Sequence, residues 1–253
     1  MSMAKVVIPA RYGSSRLEGK PLLEINGFPI FWHVYQRCLE ADIECSDIII
    51  ATDDERIFRK ANELDLPVIM TRNNHESGTD RINEVSQILK WEEDTLVINV
   101  QGDEPLIPSS LIKQVINFAS GNSQYPITTA VTPINSLDDC NNPNVVKAIL
   151  GLDGRALYFT RSASPFNRDN PTDISLSYRH IGIYTYRVNA LSEFCSYPEA
   201  PLEKYEKLEQ LRALSNGIAI GSCIYHGELP HGIDTYEDYQ IIKNKMECSY
   251  EYC

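Results

Sequence analysis

A chain of 253 residues, 43% hydrophobic and 23% charged, is long enough to bury a large core within one domain. Its net charge of −12 argues against a nucleic-acid partner, which is gripped through basic surface, and admits an anionic small ligand only at a locally basic pocket. No stretch of about 18 apolar residues occurs, so no membrane-spanning helix is expected, and an N-terminus that runs straight into a strand leaves no room for an apolar leader; the expected compartment is the cytoplasm.

The first predicted element is the buried strand Val6-Val7-Ile8. It opens into a loop, Pro9 to Leu22, that holds Gly13 and Gly19, Ser14 and Ser15, Arg11, Arg16 and Lys20. Glycine turns that release backbone N–H groups, beside fixed cations, make a cradle for phosphate oxygens. A merely solvated loop is the plainer reading. Neither a Walker loop nor a dinucleotide fingerprint is present.

An apolar stripe at helical spacing predicts a helix over 29–40, and Asp47 to Ala51 reads as a buried strand. Thr52-Asp53-Asp54 then caps a helix over 55–63. A strand at 66–70, a polar loop at 71–81, a helix at 80–90, a central strand at 96–100 and a helix at 109–119 follow. Near-continuous apolar strands alternating with helices predict a mainly parallel sheet covered on both faces, an α/β fold. Further strands are expected at 127–132, 144–150 and 156–160, the last two joined by an Asp153-Gly154 turn. The segment 164–177 reads as a mobile excursion, followed by a strand at 179–186 and helices at 188–195 and 201–216. A strand at 218–225, a turn at 232–235 and a helix at 236–246 complete the chain. Seven widely spaced cysteines, in no metal-binding pattern, fit reduced thiols.

Open α/β sheets bind ligands at the carboxyl ends of their strands, so the polar runs after strands 6–8, 68–70 and 96–100 are expected on one rim. They supply Arg11, Arg16 and Lys20 for phosphates, Arg72, Ser77 and Gly78 for base or ribose, and Gln101 and Asp103. Asp103, directly after a buried strand, suits Mg²⁺, which takes one or two protein carboxylates plus substrate phosphates; Asp234 is a second candidate. Asp103 is alternatively a turn or capping residue, and Asp234 the N-cap of the last helix. His180 is alternatively a satisfied core histidine and His75 an exposed loop residue. No nucleophile–base arrangement is readable.

Eight runs stand in one order: PARYGSSRLxGKPL, ATDD, MTR…HxSGTDR, NVQGDEP, NPNxVK, RHIGIY, LEQLR and GIDT. Together they resemble the 3-deoxy-manno-octulosonate cytidylyltransferases over roughly residues 5 to 240. The resemblance implies a Rossmann-like nucleotidyltransferase domain spanning 1–253, with a smaller sheet and dimerisation subregion at about 127–190. It implies a homodimer that uses Mg²⁺ to transfer CMP from CTP to the anomeric hydroxyl of an acidic octulosonate for lipopolysaccharide synthesis, releasing pyrophosphate. Carried over motif by motif, Arg11, Ser14, Lys20, Arg72, Ser77 and Gln101 hold CTP, with Lys20, Asp103 and Asp234 catalytic and the two aspartates binding metal. Arg161, His180, Tyr184, Glu209 and Gln210 line the sugar site, where a guanidinium suits the sugar's carboxylate. Alternatives are a relative acting on another acidic sugar and a catalytically silent nucleotide binder. Three positions depart from the family pattern. Glu18 stands where proline is usual and is expected to point outward, Ser164 stands where isoleucine is common, and Thr235-Tyr236 replaces Thr-Pro. The last two leave an 8-amino octulosonate open as substrate.

Overall fold

The computed structural model describes residues 4–13 and 17–250. It divides into two compact units, residues 1–113 with 228–253, and residues 114–227.

The first unit carries β1 (Lys5–Pro9), a two-strand hairpin of β2 (Glu24–Ile25) and β3 (Phe28–Pro29), and α1 (Ile30–Glu40). After these come β4 (Ile48–Thr52), α2 (Glu55–Glu63), β5 (Val68–Met70), α3 (Gly78–Ile88) and β6 (Leu96–Asn99). The strands β6, β1, β4 and β5 lie side by side, all parallel, with Val6 opposite Ile48 and Ile98. Val6, Val7, Ile8, Ile48, Ile50, Val97 and Ile98 are wholly buried, as continuous apolar strands demand of a sheet buried on both faces. Helices α1 and α3 pack against β1, and α2 against β4 and β5. The final helix, α9 (Tyr236–Tyr250), adds Tyr239, Ile242 and Met246 to a cluster with Ile25, Ile30 and Ile233.

Helix α4 (Ser109–Gly121) leads into the second unit, which contains β7 (Ile127–Pro133), α5 (Leu137–Asn141), β8 (Lys147–Leu150), β9 (Ala156–Thr160) and β10 (Tyr178–Arg187). Helices α6 (Val188–Ser196), α7 (Pro201–Glu206) and α8 (Gln210–Ser215) precede β11 (Ile220–Ile224). Only β11 and β7 run parallel here; β10 pairs antiparallel with β7 and β8, and β8 with β9. The predicted α/β architecture with its mainly parallel sheet is the observed one, and the antiparallel pairs described are these and the small β2–β3 hairpin of the first unit.

Most predicted elements recur within two residues. The helix expected over 201–216 is in fact two, broken where Lys207 takes the left-handed conformation (φ 54°). Arg161 causes the break: its Nε and Nη2 donate to the carbonyls of Glu206 and Lys207, and the Glu206 carboxylate accepts from Thr160 Oγ1 and the Arg161 main chain. Carbonyls drawn to a neighbouring strand's guanidinium are lost to the helix ladder. Helix α3 starts at Gly78, two residues earlier than expected, because Ser77 and Asp80 form a capping box. Residues 164–177, expected as a mobile excursion, hold no helix or strand but are tied together by Asn167, which donates to Asp173 and accepts from the Asp169 and Asn170 main chain. The described cysteines are all free thiols.

Candidate functional site

In the first unit, the loop after β1 is closed at its base by the Gly19 N–H donating to Tyr12 O at 2.9 Å. Gly19 has a φ of +68°, and a Cβ there would stand 3.1 Å from the Tyr12 ring, so the position requires glycine. A 3₁₀ turn, Lys20–Leu22, follows and buries Lys20 to 8% exposure. The Lys20 Nζ donates to Asp103 Oδ2 at 2.6 Å and to the Ile233 carbonyl at 2.7 Å, and lies 3.8 Å from Asp234 Oδ1. One ammonium thus gathers three stretches far apart in sequence.

Gly102 lets the loop after β6 close onto β1, since a Cβ there would meet Pro9 O at 2.6 Å. The outcome is a cavity of about 290 Å³ lined by Arg11, Gly13, Lys20, Gly78, Gln101 and Asp103 among others. Four side chains predicted from two separate motifs therefore share one cavity, with Gly78 of a third motif in its wall, and Asp234 reaches the same ammonium.

Asp234 was as open to a capping role as to a metal role. The cap is Thr235 instead: its hydroxyl accepts from the Asp238 N–H, and the Asp238 carboxylate accepts from the Thr235 N–H. Beside these groups sits Glu104, which the motif reading passed over. Burial first, then the charges of Asp103 and Asp234, push its carboxyl up to about 7. Sequence adjacency to Asp103 was the only signal that could have marked it.

A crowd of carboxylates facing one ammonium is a place that favours a further cation. Among the described residues no three metal-ligating side chains form a cage, but Mg²⁺ held by one or two carboxylates and substrate phosphates needs none. Asp103 and Asp234 fit such an ion.

Not all predicted nucleotide contacts reach the cavity. Ser77 spends its hydroxyl capping α3, so Gly78 rather than Ser77 lines the wall. Arg72 is exposed, with its Nε donating to Glu84 Oε1 at 3.1 Å and its main-chain N–H to Oε2 at 2.9 Å. His75, open to being merely exposed, is half-buried and hydrogen-bonded to the same Glu84. Burial opposes ionisation of Glu84, yet the bonds from His75 and the Arg72 main chain hold its carboxyl below the usual range. Ser14 and Arg16 lie outside the described residues.

The sugar-side candidates all fall in the second unit. His180 and Tyr184 stand on β10 with ring centroids 5.3 Å apart, across an irregularity in the pairing with β7. Thr129 Oγ1 sits at that irregularity, 2.7 Å from the Ile183 carbonyl, 3.0 Å from that of Ile181 and 3.3 Å from His180 Nε2. Phe159 meets the imidazole edge-on at 5.1 Å. Desolvation lowers the His180 pKa to about 4, so at neutral pH the ring is uncharged. Tyr184 is held well above its ordinary value, chiefly by burial. Glu209 and Gln210 open α8, and the buried Gln210 Nε2 has no hydrogen-bond partner among the described residues. Arg161 is spent differently: besides the carbonyls of Glu206 and Lys207 it donates through Nη1 to the Pro143 carbonyl at 2.8 Å. Its guanidinium braces main chain rather than lying open to an anion.

Comparison with known proteins bears on this geometry. A family described as Cytidylyltransferase matches residues 5–220. The 3-deoxy-manno-octulosonate cytidylyltransferase of Cellvibrio japonicus is 44% identical over 250 residues, covering 96% of this chain and 97% of its own. That of Acinetobacter baumannii (strain SDF) is 39% identical over 98% of this chain and all of its own. Among solved structures, a CMP:2-keto-3-deoxy-manno-octonic acid synthetase complexed with CTP superposes with a TM-score of 0.89 at 38% identity, over 98% of this chain and all of that one.

Proposed function

The chain belongs to the cytidylyltransferase family, among the 3-deoxy-manno-octulosonate enzymes, and from that premise we propose that it joins CMP to an acidic octulosonate. The reaction transfers the cytidylyl group of CTP to the anomeric hydroxyl of the sugar and releases pyrophosphate, supplying an activated sugar for lipopolysaccharide synthesis. The observation that carries the reading is the Lys20 ammonium, bonded to Asp103 and 3.8 Å from Asp234, in the wall of a cavity also lined by Gly13, Gly78 and Gly102.

Nucleotidyl transfer needs in-line positioning and neutralised phosphate oxygens more than covalent chemistry. In this proposal Arg11 and Lys20 hold the triphosphate, and the main chain at Gly13, Gly78 and Gly102 leaves room for close approach. Lys20 neutralises charge that builds on the leaving pyrophosphate. Gln101 contacts the nucleotide. Arg72, oriented by Glu84 and His75, keeps Nη donors for base or ribose. Asp103 and Asp234 would hold Mg²⁺, which when bound supplies charge neutralisation at the phosphates and acidifies a bound hydroxyl.

On the sugar side, His180 acts as a neutral hydrogen-bonding group, with Tyr184, Glu209 and Gln210 as polar partners. Arg161 shapes the corner that presents Glu209 and Gln210. The enzyme is proposed to work in the cytoplasm as a homodimer. Pyrophosphate release with Mg²⁺ and CTP, UTP or ATP, against 3-deoxy-octulosonate, its 8-amino analogue and a nine-carbon acidic sugar, tests the reading. The expected result is turnover with CTP and an octulosonate alone, with a CMP–sugar as product. Equal use of UTP or ATP, or no turnover with either octulosonate, overturns it.

A further inference from the structure

Glu18 places a negative charge in a loop proposed to hold phosphates, and it is exposed as expected. Helix α2 brings a cation to the same loop. Asp54 is the N-cap of α2, accepting from the Arg56 N–H at 2.9 Å. The same carboxylate binds the Arg56 guanidinium through both oxygens, at 2.9 Å from Nε and 2.7 Å from Nη2. Locked in this fork, the guanidinium lies 3.2 Å above the centroid of the Tyr12 ring. That ring packs against Gly19, whose N–H donates to Tyr12 O. The stack Asp54–Arg56–Tyr12–Gly19 therefore ties both ends of the loop to the start of α2. The hydrogen bonds to Asp54 first, and then the negative charges of Asp54 and Glu18, favour the charged form of Arg56.

We propose that Arg56 is a positioning residue for the nucleotide site. It pins the loop through Tyr12 and offsets the charge of Glu18, so that Arg11 and Lys20 act on the triphosphate undiminished. This rests on the reading of the loop as a phosphate cradle. The Arg56 side chain is itself more than half exposed, so its truncation opens no buried void and is not a folding defect.

The test compares the wild type with R56A, R56K, E18Q and the double variant R56A/E18Q. The dissociation constant for CTP is read by titration calorimetry, and the KM for the octulosonate at saturating CTP. R56A is expected to weaken CTP about two- to fivefold, the range of a partly exposed cation–π contact, with sugar KM unchanged. R56K falls between wild type and R56A. Adding E18Q to R56A restores at least half of the lost affinity on a logarithmic scale, which a merely loosened loop would not do. R56A that binds CTP as wild type does, R56A that weakens both substrates equally, or E18Q that restores nothing overturns the inference. Wild-type protein that binds no CTP overturns the nucleotide reading beneath it, a distinguishable result.

Discussion

Lys20 in the first unit and Lys147 and Arg161 in the second are spent in opposite ways. In the first, Lys20 faces two carboxylates at the wall of a cavity, and Arg11 lines the same cavity. In the second, Lys147 is fully buried with its ammonium on the carbonyls of Asn142 and Val145, and Arg161 is held by three more carbonyls. Cations satisfied by main chain hold loops in shape; cations set among acidic groups leave charge for a ligand to complete. Beside the Glu209 carboxylate, the second unit offers an uncharged histidine, a tyrosine and an amide for recognition. The contrast matches the proposed division of labour, in which a triphosphate is met by cations and the hydroxyls of the sugar mainly by uncharged hydrogen-bonding groups.

The sharpest way to break this contrast is at Asp103. Asp103→Asn is expected to lower kcat at least about a thousandfold with an unchanged circular dichroism spectrum, the scale of losing a group that neutralises transition-state charge. Near-normal turnover would reduce the Asp103–Lys20 pair to a structural ion pair. Lys20→Ala is expected to cost about a hundredfold in kcat/KM for CTP while the sugar KM stays within about twofold. A loss shared equally by both substrates would remove Lys20 from the phosphate side.

Arg161 should answer to a different readout. Arg161→Ala is expected to destabilise the protein by about 1 kcal/mol, as loss of charged hydrogen bonds to part-buried and exposed carbonyls does, and Arg161→Lys recovers little because one ammonium cannot span three carbonyls. Urea melts measure this. A variant of wild-type stability with a raised sugar KM would instead make Arg161 a direct ligand for the sugar carboxylate.

The smallest effect is one of pH. The folded-state pKa of His180, about 4, lies below the unfolded value near 6.5. Between those values the unfolded chain binds the extra proton, so this residue's contribution is present above about pH 6.5 and is lost as pH falls toward 4. Thermal melts across that window should show a shallower decline for His180→Asn than for wild type. Parallel declines would place a charged imidazole in the folded protein.

Much of the first unit was legible because its signals are local. Continuous apolar runs named β1, β4 and β6, and Asp54 marked the start of α2 to the residue. The motifs also brought Arg11, Lys20, Gln101 and Asp103 to one list, and the fold brings them to one cavity. Where two local readings competed, composition could not choose: Thr235 and Asp234 are both good caps, and only the position of Asp238 one turn on decides for Thr235. The break at Lys207 had no sequence mark, since lysine does not announce a left-handed turn and its cause, Arg161, lies 46 residues away.

The sequence by itself therefore determined most of the order of elements, the parallel strands of the first unit and the residue types expected at their rim, because periodicity and capping act over a few residues. Only the tertiary structure decided where each charge is spent. Arg161 went to carbonyls, Glu84 to His75 and Arg72, and Glu104 to a crowded acidic corner, because desolvation and pairing depend on neighbours that the chain brings together only by folding.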